Sequence, residues 1–219
     1  MNAAQFRSLL GREPLTPERV IITPLRSLYA QVTDILAVGA PLCMAKGFYQ
    51  NAWQRTTGGL VVRIPQGIQA QDILWVLPAC TVLFIGFAGS PGGMLEVGSV
   101  VEAAETLNEE GRVYPLETTG VYPGIRCGCS PCLLGTRAEE CCRRALVWDC
   151  RAVEMETAAL AVAAKKNGQR MTAWLLITDA PGAVGFWEVD RLRRQSLNRA
   201  QRELVAMAAD WINGGVVSK

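Results

Sequence analysis

Histidine is absent from this chain of 219 residues. No proton transfer and no metal ligation can therefore rest on an imidazole. A charge excess of one sign is also missing. The formal net charge is +2, which sets up no strong field for nucleic acid. Charged residues are sparse at 19%, and half of the chain is hydrophobic, a globular composition with an apolar interior rather than a disordered one. No repeat period and no low-complexity stretch stands out. The opening MNAAQFRSLLGREPLTPER lacks an apolar region ahead of a small-residue cleavage site. No signal peptide is expected, and the cytoplasm is the expected location.

One long run lacks charge altogether. Ile73 to Leu95 is 23 residues without Asp, Glu, Lys or Arg, enough to span a bilayer by length. It contains Pro78, Gly86, Gly89, Pro91, Gly92 and Gly93, and its flanks are Asp72 and Glu96 rather than basic residues. It reads as a buried parallel strand followed by a loop, and no membrane partner is expected.

What is present is a pair of acidic motifs. In VEMETAAL, Glu154 and Glu156 bracket Met155 where an irregular segment becomes an alanine-rich helix. Further on, the apolar strand AWLLITD ends in Thr178 and Asp179. A third motif precedes them. TVLFIGFAGSPGGMLEVGSVVEA, Thr81 to Ala103, is a strand running into a glycine-rich loop and then a second strand. Gly86 and Gly89 there permit close backbone approach to a ligand.

Together these motifs resemble the nucleoside phosphorylase and nucleosidase superfamily, across about Arg19 to Trp211. The family's Val-Glu-Met-Glu holds a ribose, and its Asp after the strand meets a purine base. Ser99 stands where the family usually has Asp, and in GGLVVRIPQGIQAQD Gln69 replaces the second Gly of a Gly-Ile-Gly turn. The resemblance implies catalytic roles for Asp179 and Glu156. Cleaving an N-glycosidic bond builds positive charge on the sugar and negative charge on the base. Glu156 would hold the ribose hydroxyls and favour the cation, and Asp179 would protonate the base. Glu154, Met155, Phe87, Ala88, Gly89 and Thr178 are the implied substrate contacts, with Met155 a flexible apolar floor under the sugar.

The nucleophile is left open by the same residues. ITPLRSLYA resembles the phosphorylase turn, which would make Arg26 a phosphate ligand. A second phosphate-binding Arg and a Ser or Thr of the glycine-rich loop are replaced by Phe84 and Phe87. Nucleosidases place a water-activating Glu where Arg26 stands, and no Glu lies between Glu18 and Glu96. An anion cradle needs several donors together, which tips the expectation to hydrolysis of a purine nucleoside or thionucleoside. Phosphorolysis with phosphate as co-substrate is the alternative, and a catalytically weak nucleoside-binding member is another. The resemblance implies a homo-oligomer.

Six of the eight cysteines lie between Cys127 and Cys150. Their C-x-C-x-x-C spacing is not a pair of zinc knuckles. They are read as reduced, small apolar residues, so no metal and no cofactor is expected. A metal cluster and a redox-labile Cys127, Cys129 and Cys132 set are the competing readings.

Hydrophobic patterning predicts strands at Val20–Ile22, Ile35–Val38, Leu60–Ile64, Thr81–Phe87, Ser99–Ala103 and Thr172–Ile177. Helices are predicted at Gln69–Leu77, Thr136–Val147, Thr157–Asn167 and Val189–Asn213. Residues 108–130 read as a loop over the mouth of a site, with Tyr122 packing on the loop's own core or, as the alternative, stacking on a base. The basic stretch DRLRRQSLNRAQR reads as a solvated helix face. Alternation of strands and helices without a linker predicts one α/β domain over residues 1–219, three layers with a mixed central sheet between helices.

Overall fold

A computed structural model describes residues 4, 7–8, 16–36, 43–44, 52–55, 59–132, 135–181 and 191–215. The strands are β1 (Arg19–Thr23), β2 (Cys43–Met44), β3 (Ala52–Arg55), β4 (Leu60–Arg63), β5 (Thr81–Gly89), β6 (Val100–Leu107), β7 (Val113–Pro115), β8 (Gly124–Cys129), β9 (Ala152–Glu154) and β10 (Arg170–Asp179). The helices are α1 (Arg26–Leu36), α2 (Asp72–Val76), α3 (Thr136–Val147), α4 (Thr157–Lys166) and α5 (Arg191–Ile212), with a 3₁₀ turn at Gly67–Gln71 leading into α2.

One mixed sheet runs through the molecule. β5 is its hub, lying parallel to β1 on one side and to β10 on the other. β1 continues to β4, also parallel. Beyond β10 come β6, β8 and β9, and β9 returns to β5 through Gly89 and Val153, so this half of the sheet closes on itself.

Strand alternation builds the layers. Val20, Ile22, Leu60, Val62, Val82, Phe84, Leu175 and Ile177 face one side, with residues of α2 and α4. Ile21, Val61, Leu83, Ile85, Trp174 and Leu176 face the other, with α1 and α5. Period-2 burial on both faces is what a sheet sandwiched between helices requires. The α/β three-layer expectation is therefore met. Arg19 ties α5 to β1, donating to the Trp211 carbonyl and lying 5.5 Å from the Trp211 ring centroid.

Three element expectations are corrected. Ile35 lies in α1, which runs to Leu36, and 37–38 fall outside the described residues. Leu28, Tyr29, Val32, Thr33 and Leu36 are buried on α1, a helical spacing that overrides the local β-branched run. Residues 108–130 are not one loop, because β7 and β8 pair with the two sides of β6 there. The Gln69–Leu77 helix begins as the 3₁₀ turn at Gly67 and becomes helical only at Asp72. The last helix is described from Arg191, so Val189 lies outside the described residues. Among the described residues no helix is long and apolar enough to cross a membrane.

Candidate active site

The parallel strands β1, β4, β5 and β10 end on one edge of the sheet, the edge where open α/β folds gather ligand-binding residues. Gly89, the last residue of β5, is the register partner of Val153 on β9 and of Asp179 on β10. Two motifs far apart in sequence thus flank a single glycine. A β-carbon at Gly89 would lie 2.8 Å from Pro181 and 3.1 Å from Asp179 Oδ2. The missing side chain makes room for the acid. Gly86 has a different reason, since a β-carbon there would lie 2.7 Å from the Phe84 ring.

Asp179 stands just past a register shift in β10, after Ile177. Its backbone carbonyl accepts from Ser90 N–H at 2.9 Å. The Thr178 hydroxyl donates to Oδ1 at 2.8 Å and is 3.5 Å from the Ala88 carbonyl. Burial pushes the Asp179 carboxyl above its ordinary value, and the Thr178 hydrogen bond opposes that rise.

Glu154 and Glu156 sit at the junction of β9 and α4, only 4% and 5% exposed. So little exposure denies either charge much help from water. Glu154 is the helix-starting acid. It accepts Glu156 N–H at 2.5 Å on Oε2, Thr157 N–H at 3.0 and 2.9 Å on its two oxygens, and the Thr157 hydroxyl at 2.5 Å on Oε1. These bonds satisfy orphan N–H groups at the start of α4. Glu154 was expected as a substrate contact, and in the structure its carboxylate is hydrogen-bonded by Glu156 and Thr157 of its own chain.

Glu156 is held from another part of the molecule, by Gly67 N–H at 2.6 Å on Oε1. Gly67 has φ of +75°, a conformation that favours glycine. A β-carbon there would lie 3.8 Å from the Met155 methyl. Burial and the neighbouring Glu154 push Glu156 up to about 8, against the pull of the Gly67 N–H. Burial raises Glu154 as well, against its hydrogen bonds. The Cys127 and Cys129 thiols on β8 are raised far above their ordinary value by burial and then by Glu154. They are therefore neutral neighbours of the pair.

The β1 end of this edge is built differently. Arg26 opens α1 after Thr23, Pro24 and Leu25 and is exposed. Among the described residues no ion pair joins it to Glu154 or Glu156. Phe84 is fully buried in the core, so an arginine in its place would be a buried cation. Phe87 and Leu25 pack, half-buried, on the cluster of Leu28, Tyr122 and Trp174. Tyr122 makes an edge contact with Trp174 at 5.3 Å between ring centroids, and so packs in the core.

Sequence reasoning passed over three supporting residues. Thr157 and Thr106 reach the Glu154 carboxylate through hydroxyls 2.8 Å apart. Gly67 had been noticed as a turn glycine, not as the donor to Glu156. A polar residue at a buried strand position, as Thr106 is, was the available signal. Seven cysteines are free thiols among the described residues. There, no group of three or more His, Cys, Asp or Glu side chains is arranged to hold a metal ion.

No protein-family model matches the sequence and no curated protein matches it. Solved structures do. The chain is similar to the Campylobacter jejuni 5'-methylthioadenosine/S-adenosyl homocysteine nucleosidase, with TM-score 0.73 and 11% identity over 90% of this chain and 99% of that one. It is also similar to isoform 2 of uridine phosphorylase from Schistosoma mansoni, with TM-score 0.70 and 12% identity over 92% and 89%. A futalosine hydrolase mutant of Helicobacter pylori gives TM-score 0.67 and 13% identity over 91% and 98%. The fold is that of the nucleoside phosphorylases and nucleosidases, as the motifs implied.

Proposed function

We propose that this chain, carrying the nucleoside phosphorylase and nucleosidase fold, cleaves the N-glycosidic bond of a purine nucleoside or thionucleoside, with water as the nucleophile. The observation that carries this reading is the convergence on Gly89 of two acidic motifs whose carboxyls are raised by burial. Burial favours the neutral form of a carboxyl, the form that can deliver a proton to a leaving group.

In this reading Asp179 protonates the purine as the bond between base and sugar breaks and its electron pair leaves with the base. Glu156 holds the ribose hydroxyls, with the charge of Glu154 behind it to favour the cationic sugar. Met155 lies under the sugar, and Phe87, Ala88, Gly89 and Thr178 form the strand-end walls. Water adds to the sugar carbon and loses a proton, giving free sugar and free base.

Water is preferred over phosphate on one observation. Arg26 is exposed, and the positions that would complete an anion cradle hold Phe84, which is core, and Phe87, which packs on an apolar cluster. The test is a product assay with adenosine, inosine and methylthioadenosine, with and without phosphate. Free sugar at a phosphate-independent rate is expected. Stoichiometric sugar 1-phosphate, at a rate that saturates with phosphate, would replace hydrolysis by phosphorolysis.

A further inference from the structure

A buried hydroxyl chain runs from β6 to the acidic pair. Thr106 and Thr157 are 0% exposed, and their oxygens are 2.8 Å apart. Thr157 Oγ1 is 2.5 Å from Glu154 Oε1. Each hydroxyl has one proton, and an ionised carboxylate can only accept. If Glu154 is ionised, Thr157 donates to it and Thr106 donates to Thr157. Both hydrogen bonds then point toward the carboxylate, and such chains polarise one another.

The two acids are unequally served. Glu154 takes the Thr157 hydroxyl and the N–H groups of Glu156 and Thr157. Glu156 takes the Gly67 N–H and a weaker contribution from Met155 N–H. Two buried carboxylates side by side resist a double charge, so they share one proton. The proton settles on the acid with fewer donors.

We propose that Thr106 and Thr157 are positioning residues that hold Glu154 as the ionised member of the pair, and so keep the shared proton on Glu156. Its functional part rests on the reading above, that Glu156 meets the ribose. A neutral Glu156 can give one hydrogen bond to a ribose hydroxyl oxygen and accept another from a ribose hydroxyl. The titratable groups facing Glu154 are Glu156 and the Cys127 and Cys129 thiols of β8. β6 presents Thr106, the first turn of α4 presents Thr157, and the 3₁₀ turn presents the Gly67 N–H to Glu156. The thiols are neutral, and the Cys129 thiol is a further hydrogen-bond donor to Glu154, so the hydroxyl chain, that thiol and the N–H groups decide where the proton sits.

Carbon-13 NMR of protein labelled at the glutamate carboxyls tests this, with Glu154→Gln and Glu156→Gln assigning the two signals. At neutral pH the Glu154 signal is expected to be ionised and the Glu156 signal neutral. Thr106→Val, which removes the hydroxyl at nearly constant size, should raise the pH at which Glu154 takes up a proton by a few tenths of a unit, because Thr106 acts on the carboxylate only by polarising the Thr157 bond. Thr106→Ser should restore it. If Thr106→Val does not fold, Thr106→Ala gives the same reading. A neutral Glu154 in the wild-type protein overturns the proposal without any variant, as does an unshifted titration in a folded variant lacking the hydroxyl. Base release is measured alongside. The NMR shift without base release from any nucleoside sustains the proton placement and sinks the nucleosidase reading, while base release with an unshifted titration does the reverse.

Discussion

Where β5, β9 and β10 end, polar side chains are buried and partnered. Where β1 ends on the same edge, Arg26 is exposed and the neighbouring Leu25 packs on an apolar cluster. Glu156 is bonded to Gly67 across the fold, and Asp179 is fixed by Thr178 and seated against Gly89. At the other end Leu25 and Phe87 pack on the core beneath α1. Building a polar site in a dry place requires donors for every charge. The acidic end has them, while at the β1 end Leu25 and Phe87 are packed on an apolar cluster. The contrast is the ground on which water is preferred over phosphate in the proposed reaction.

The sharpest way to break the contrast is at Asp179. Asp179→Asn keeps the size of the side chain and removes the transferable proton. Turnover on purine nucleosides should fall by about a hundred- to ten-thousandfold, with little change in Tm. An unchanged rate in a folded variant would move the acid elsewhere.

Glu156→Gln should have the next largest effect. Glu156 is neutral in this account, and a neutral hydrogen bond is worth about 0.5–1.5 kcal/mol, or roughly two- to tenfold. The loss should fall on ribonucleosides and spare deoxyribonucleosides. Equal loss on both, together with a large drop in Tm, would make Glu156 a helix-start residue.

Gly67→Ala tests the support of Glu156 from outside its own motif. At φ of +75° a β-carbon costs about 1–2 kcal/mol, and about 2–4 °C of Tm follows each kcal/mol for a chain of this size. KM should rise more than kcat falls, because Glu156 loses alignment while Asp179 is untouched. A variant with wild-type KM would show that the Gly67 N–H does not position the acid.

Stability against pH separates the two ends again. Folded Glu156 holds its proton up to about 8, and an unfolded glutamate releases it near 4.5. Between those values the folded state binds more protons, so stability is greatest below the window, falls as pH rises through it, and levels off above. Melting curves across this range should show the decline, and Glu156→Gln should reduce it. An identical decline in the variant would place the responsible group elsewhere.

The smallest effect belongs to the β1 end. Arg26→Ala should leave turnover without phosphate nearly unchanged, and added phosphate should not raise the rate. A steep new phosphate requirement in the variant would show that the exposed guanidinium does bind the co-substrate.

Much of this edge was legible in the sequence, for physical reasons. The strands Thr81–Gly89 and Arg170–Asp179 are continuous apolar runs because both of their faces are buried. The motifs at Glu154, Glu156 and Asp179 stood out as acids beside such runs. Pairings were not legible. That Gly89 meets both Val153 and Asp179 depends on the return of β9 to β5, a long-range contact without local signal. The division of labour between Glu154 and Glu156 was hidden for the same reason, since it turns on Gly67 and Thr106 reaching in from distant elements. The end of α1 was misread as a strand from Ile35 because the residues there have a strand-like composition, while Leu28, Tyr29, Val32, Thr33 and Leu36 are buried at helical spacing.

Release of purine base from adenosine, inosine or methylthioadenosine by the purified wild-type chain, in buffer free of phosphate, bears most directly on the account. Free base appearing together with free sugar is the predicted result. No base from any of these nucleosides, or base only after phosphate is added, would contradict it.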